Sequence, residues 1–187
     1  HDHCQIARLF STWPGLDINR PEPNGNRPIH VAVHHQRLPI VHLLISYGAD
    51  PEARNASGRT PIMQSSLMGN SDLVDLFIGT NCDLDAQDNL KCTALLLAVK
   101  TGNINIVKKL VQRGADVDKP DINGMNAWYW ANVLGHQSIQ DFLPRPVQAF
   151  DVWRQYEELS WFKDAITKLR AEPQAKKGKK KKGKKGK

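Results

Sequence analysis

The sequence predicts an all-α solenoid, one helix-turn-helix-hairpin unit stacked four times. The first observation is a period. "NRPIHVAV" begins at Asn26, "RTPIMQSS" at Arg59, "CTALLLAV" at Cys92 and "MNAWYWAN" at Met125, each 33 residues after the one before. Self-similarity at a fixed period of this length is the mark of a repeat array. The second observation is that each unit holds two short segments whose apolar residues recur at spacings of one, three and four, as on one buried face of a helix. The third is the punctuation: Gly25, Gly58 and Gly124 share one phase with Lys91 in the remaining slot, and Asp121 and Asn123-Gly124 are turn formers.

Taken in order, the first helix of a unit begins near Pro28, Pro61 or the equivalent position, where a missing N–H costs nothing. Ile29, Ile62, Leu95 and Trp128 share one core phase, and Ala32, Ser65, Ala98 and Ala131 a second. The second helix is carried by "PIVHLLISYG", "SDLVDLFIG" or "INIVKKLVQRG". In it Ile40, Leu73, Ile106 and Ile139 align, as do Leu44, Phe77, Leu110 and Leu143. Gly48 and Gly114 end their helices where a positive φ is useful.

Pro28-Ile29-His30 with Ala32, Thr60-Pro61-Ile62, and the two Gly-Ala-Asp triplets at 48–50 and 114–116 are the residues by which the chain resembles the ankyrin-repeat family. Met63, Leu96 and Tyr129 depart from its pattern, since each replaces the signature His represented by His30. The resemblance implies four repeats over residues 21–143, preceded by a half repeat over 1–20 with Ile6, Leu9 and Phe10 as its stripe. The first helix of that half repeat is missing, and the chain starts at His1, so a longer parent chain or an upstream segment is expected.

After Leu143 the period stops. Residues 144–172 are expected to form an amphipathic helix, with Val152, Tyr156, Leu159, Phe162, Ile166 and Leu169 at intervals of three and four. It is the available cap for the last repeat, because an open solenoid end must be covered. Residues 173–187 have no apolar surface to bury and are expected to be a disordered Lys/Gly-rich tail.

The Trp128-Tyr129-Trp130 run falls on the fourth signature. Trp128 is then core, Tyr129 takes the His position, and Trp130 faces away, beneath the cap. A nucleobase-stacking surface and a partner groove on one edge of the cluster are the competing readings.

The net charge of +7 is local. Nine Lys lie in residues 176–187; set aside, 17 of the 26 Lys+Arg remain against 19 Asp+Glu, a net of −2. Lys176, Lys177, Lys179, Lys180, Lys181, Lys182, Lys184, Lys185 and Lys187 are candidate polyanion contacts, for acidic protein tails or nonspecific nucleic acid, against the bland reading of a solubilising appendage. No apolar run is long enough for a membrane span. Cys4, Cys82 and Cys92 are widely spaced and odd in number, as reduced thiols of a cytosolic or nuclear protein would be.

No catalytic pattern occurs. GxSxG, a glycine-rich phosphate loop and HExxH are absent, and the spacing of His30 and His34 does not suffice for a metal. No enzyme activity, cofactor, metal or small-molecule substrate is expected. His34 and His35, as sequence neighbours on a helix, are expected to point apart.

The family resemblance implies that partners are gripped by hairpin tips and first-helix ends. Apolar residues at those positions are Leu67, Met68, Leu90, Ile122, Met125, Val133 and Leu134, and these are the candidate partner contacts. The alternative is that some turn inward. The expected function is a non-enzymatic protein-protein interaction module, a scaffold or adaptor whose basic tail anchors to an acidic partner. The rival is a structural component of a large cytoskeletal (axonemal or microtubule) or ribonucleoprotein assembly. The expected location is cytoplasmic, with the cytoskeleton (including cilium or flagellum) or the nucleus as alternatives.

Overall fold

The computed structural model describes Gly15 and residues 17–145 of the 187-residue chain. The chain divides into two compact units, His1–Pro146 and Val147–Lys187. All described residues belong to the first. The helix stripe of the half repeat, the helix expected in 144–172 and the Lys tail lie outside the described residues.

Among the described residues eight helices come in pairs: α1 Pro28–His34 and α2 Leu38–Ser46, α3 Pro61–Met68 and α4 Ser71–Gly79, α5 Ala94–Lys100 and α6 Ile104–Gln112, α7 Ala127–Leu134 and α8 Gln137–Phe142. Among the described residues there is no strand. The first helices stack as one row, α1 on α3 on α5 on α7, and the second helices as another, α2 on α4 on α6 on α8. Proline opens α1, α2 and α3. In α4, α5 and α7, which lack it, a side chain caps a free N–H group: Asn70 Oδ1 accepts from Leu73 (3.1 Å), Thr93 Oγ1 from Leu96 (3.2 Å) and Asn126 Oδ1 from Tyr129 (3.2 Å).

The core follows the period. Ile29, Ile62 and Leu95 are each 1% exposed, as are Ile106 and Ile139. Phe77 and Leu110 have no exposure at all. Trp128 differs from the expectation, for it is half-buried and packs on the edge of this core. It meets Tyr129 edge to face at 5.4 Å, with the Arg145 guanidinium 5.8 Å from its ring centre. Tyr129, in the His slot, is the buried one of the pair, and burial raises its pKa.

Inter-repeat bonds recur in register. Asn19 Oδ1, Glu52 Oε1 and Asp85 Oδ1 accept the backbone N–H of Asp50, Asp83 and Asp116 (2.9, 2.6 and 2.8 Å). Arg54 Nη1 donates to the carbonyls of Gly58 and Gln87, and Gln87 Nε2 to those of Lys91 and Pro120. His30 belongs to this set. Its Nδ1 accepts from the Arg27 N–H (3.3 Å), which assigns the proton to Nε2, and Nε2 donates to the Arg59 carbonyl (3.0 Å).

Burial, with a smaller repulsion from Arg27, holds the His30 pKa below its ordinary 6.5, against the opposing pull of the Arg59 carbonyl and Asp50. The unfolded chain therefore binds the proton first. The stability contributed by neutral His30 is whole above about pH 6.5 and is lost as pH falls through the folded pKa. Urea midpoints measured from pH 7.5 to 5 should fall more steeply for the wild type than for His30→Gln. Parallel curves would show that His30 does not carry the acid sensitivity.

Candidate functional site

Each unit projects a loop ahead of its first helix. The backbone N–H groups of Glu22, Asn55, Asp88 and Asp121 donate to the carbonyls of Asn26, Arg59, Cys92 and Met125 (2.7, 3.1, 3.0 and 3.0 Å), which closes four loops of one shape. In the last two loops an aspartate holds the turn. Asp88 Oδ1 accepts from the N–H groups of Leu90 (2.9 Å) and Cys92 (2.8 Å). Asp121 Oδ1 accepts from those of Asn123 (2.9 Å) and Met125 (3.2 Å). The second oxygens take cations from preceding repeats: Arg59 Nε lies 3.2 Å from Asp88 Oδ2 and Lys100 Nζ 3.1 Å from Asp121 Oδ2. Both carboxylate side chains are 1% exposed, so each negative charge is spent beneath the loop.

Asp121 also fixes the aromatic run. Trp130 Nε1 donates to its Oδ2 (2.9 Å), and Lys100 Nζ sits 4.1 Å from the centre of the Trp130 ring. Trp130 is thus anchored to the fourth loop. Asp121 is therefore more than the turn former that its place in the sequence predicts.

Neighbouring tips join through the backbone. The N–H of Asn89 donates to the Ser57 carbonyl, and that of Ile122 to the Leu90 carbonyl, both at 3.0 Å. The first two tips are Pro23-Asn24-Gly25 and Ala56-Ser57-Gly58; the third and fourth carry Leu90-Lys91 and Ile122. Leu90 is 53% exposed and Ile122 58%, and both stand clear of the core.

The remaining candidates divide. Met125 is buried, which corrects its assignment to an exposed tip: its N–H and C=O are both bonded to Asp121, at the base of the loop. Val133 is buried as well, which corrects its assignment to an exposed helix end. It stands one turn beyond Tyr129 on the same face of α7, and that face turns inward. Leu67, Met68 and Leu134 are half-buried rather than exposed, and Leu67 packs against the core. The nine tail lysines lie outside the described residues. His34 and His35 do not point apart, since their rings meet edge to face at 5.3 Å. α1 ends at His34, so His35 no longer follows the helical rotation.

Lys91 is the odd residue in a glycine slot, and its backbone shows what that entails. Its φ is +57°, beside +76°, +74° and +75° for Gly25, Gly58 and Gly124. A left-handed conformation costs an L-residue about 1–2 kcal/mol. Lys91 is held there from both sides: its N–H donates to the Asp88 carbonyl and its C=O accepts from Gln87 Nε2, each at 2.8 Å. Gly69, Gly102 and Gly135, with Gln36 at φ +54°, form a second left-handed slot at the same period, which the expectations from sequence do not include.

Among the described residues there is no cluster of three or more His, Cys, Asp or Glu that could hold a metal. Both nitrogens of His30 are engaged. Burial pushes the Cys82 thiol up to about 11 and raises that of Cys92, so neither is a ready thiolate. No described helix is long and apolar enough to cross a membrane.

A family model for ankyrin repeats, in three copies, matches residues 1–88 and 62–148. The chain is 30% identical over 76 residues (41% of this chain, 10% of the other) to an ankyrin repeat protein of Acanthamoeba polyphaga mimivirus. It is 32% identical over 138 residues (73% and 9%) to a glycerophosphocholine phosphodiesterase of Schizosaccharomyces pombe. It is 34% identical over 71 residues (38% and 9%) to an ARF GTPase-activating protein of Homo sapiens. The chain spans a tenth or less of the length of these relatives.

Proposed function

The chain belongs to the ankyrin-repeat family, and from that premise we propose that it is a scaffold or adaptor that grips a protein partner with the tips of its third and fourth repeats. Ankyrin repeats are a protein-protein interaction module. The relatives with enzyme names match only through their repeats, so their reactions do not transfer to this chain.

The observation that carries the reading is the side-by-side exposure of Leu90 and Ile122 on two bonded tips. Exposed apolar residues held together by structure are the usual start of an interface. Half-buried Leu67, Met68 and Leu134 would widen it, and Lys176–Lys187 would add a salt-sensitive anchor to an acidic partner.

The test is affinity capture from native extract with the wild type, with Leu90→Asp plus Ile122→Asp, and with residues 176–187 removed. The double variant should keep its helicity and its melting temperature, because exposed substitutions usually change stability by no more than about 0.5 kcal/mol. It should lose the specific partner. Removing the tail should lose only what high salt also releases. A partner retained by the double variant at full strength would rule out the tips as the gripping surface.

A further inference from the structure

We propose that Lys91 reads a carboxylate of the partner, so that the surface on the third and fourth tips takes a segment that combines apolar side chains with Asp or Glu. The inference rests on the tip-binding reading above and adds the chemistry of the occupant.

Three observations converge on it. The first is conformational. In the slot of Lys91 the other three repeats carry glycine, and Lys91 adopts the same left-handed backbone. The loop needs a positive φ there whatever the side chain is, so lysine is the unfavourable choice for folding. Strain of this kind persists where the surroundings over-determine it, as the two bonds to the Lys91 backbone do, and it concentrates at positions kept for a task.

The second is position. A Cβ at Gly25 would meet Ala56, and one at Gly58 would meet Asn89, each residue lying 31 positions further on. By the same register the Lys91 side chain leaves the backbone beside Ile122, and Leu90 precedes it in sequence. The ammonium is therefore tethered within reach of the rim of the Leu90–Ile122 surface.

The third is charge. Lys91 is exposed, and its ammonium pairs with no described residue. The nearby carboxylates, Asp88 and Asp121, are buried and already neutralised by Arg59 and Lys100, whose side chains remain 27% and 24% exposed. The rim is thus left with the unpaired charge of Lys91 beside two aliphatic side chains. The complementary occupant is a protein segment that covers Leu90 and Ile122 with apolar residues and sets a carboxylate against Lys91.

The experiment selects random twelve-residue displayed peptides on the full chain and measures one tight synthetic peptide by fluorescence anisotropy. Selected sequences should pair an apolar residue with Asp or Glu at a fixed spacing. Lys91→Gly should weaken the peptide about fivefold, the reach of an exposed ion pair, while Lys91→Arg stays near the wild type. The same Lys91→Gly chain should melt about 3 °C higher, because the left-handed backbone is relieved. Changing the peptide's acid to its amide should cost affinity on the wild type and almost none on the Lys91→Gly chain; attraction to the basic tail is equal in both and cancels in the cycle.

Equal losses on both chains, or unchanged binding by Lys91→Gly, would overturn the role of Lys91. If Leu90→Asp still abolishes binding in that case, the tip surface stands and only this inference falls. A peptide held undiminished by Leu90→Asp, or a wild-type chain that selects no sequence, removes the tip surface and this inference with it.

Discussion

Phe77→Ala is expected to cost about 3–5 kcal/mol, the usual range for emptying a fully buried aromatic site. Phe77 is 0% exposed, on α4 in the second repeat, and its row neighbours α2 and α6 lie on either side. Single domains are stable by only about 5–15 kcal/mol. In a stacked array that loss is not confined to one unit, because each repeat is held chiefly by contact with its neighbours. Urea unfolding followed by circular dichroism should show a midpoint far below the wild type. Phe142→Ala is the control: that ring is 37% exposed, and its loss should cost much less. A Phe77→Ala midpoint as close to the wild type as that of Phe142→Ala would mean that the Phe77 ring carries little of the stability.

Asp121→Ala is expected to cost about 3 kcal/mol, by a different route. Its carboxylate gathers four donors: two backbone N–H groups, the Lys100 ammonium and the Trp130 indole. Removing the acceptor leaves the buried Met125 N–H without a partner, worth about 1–3 kcal/mol, and frees the part-buried Trp130 indole, while Asn123 and Lys100 are exposed enough to recover water. Asp121→Asn keeps an oxygen but loses the charge, and should cost about half as much. The spectral sign is a red shift of tryptophan emission at low urea, as Trp130 is released from the loop. Unchanged emission with unchanged stability would show that the carboxylate holds neither the loop nor the ring.

The period made the helices legible. Pro28 and Pro61 sit at helix starts, and Ile29, Ile62 and Leu95 are buried, because each repeat solves one packing problem in one way. The last repeat is where slot and environment part. Trp128 inherits an isoleucine slot yet is half-buried, and Val133 inherits the slot of exposed His34 yet is buried. A slot fixes where the backbone goes, whereas the side chain settles its own burial from its polarity and neighbours. The clustering of Lys100, Trp130 and Asp121 was illegible for a related reason. Those residues stand 21 and nine positions from the aspartate, so no search at multiples of the period brings them together. The strain at Lys91 was readable in outline, since three glycines in one phase announce a left-handed backbone for the fourth residue.

The staples between repeats also bear on how such a chain can change its length. The side-chain bonds at the level of the loops, such as His30 to Arg59, Glu52 to Asp83 and Gln87 to Pro120, reach 29 to 33 residues along the chain, from one unit to the next. Deleting or duplicating one whole unit would therefore leave each surviving donor opposite an acceptor of the same kind. Removing half a unit would set a loop against a helix and strand every staple at that junction. The array is editable in steps of one period, and a gene under duplication can lengthen or shorten it without inventing a new contact.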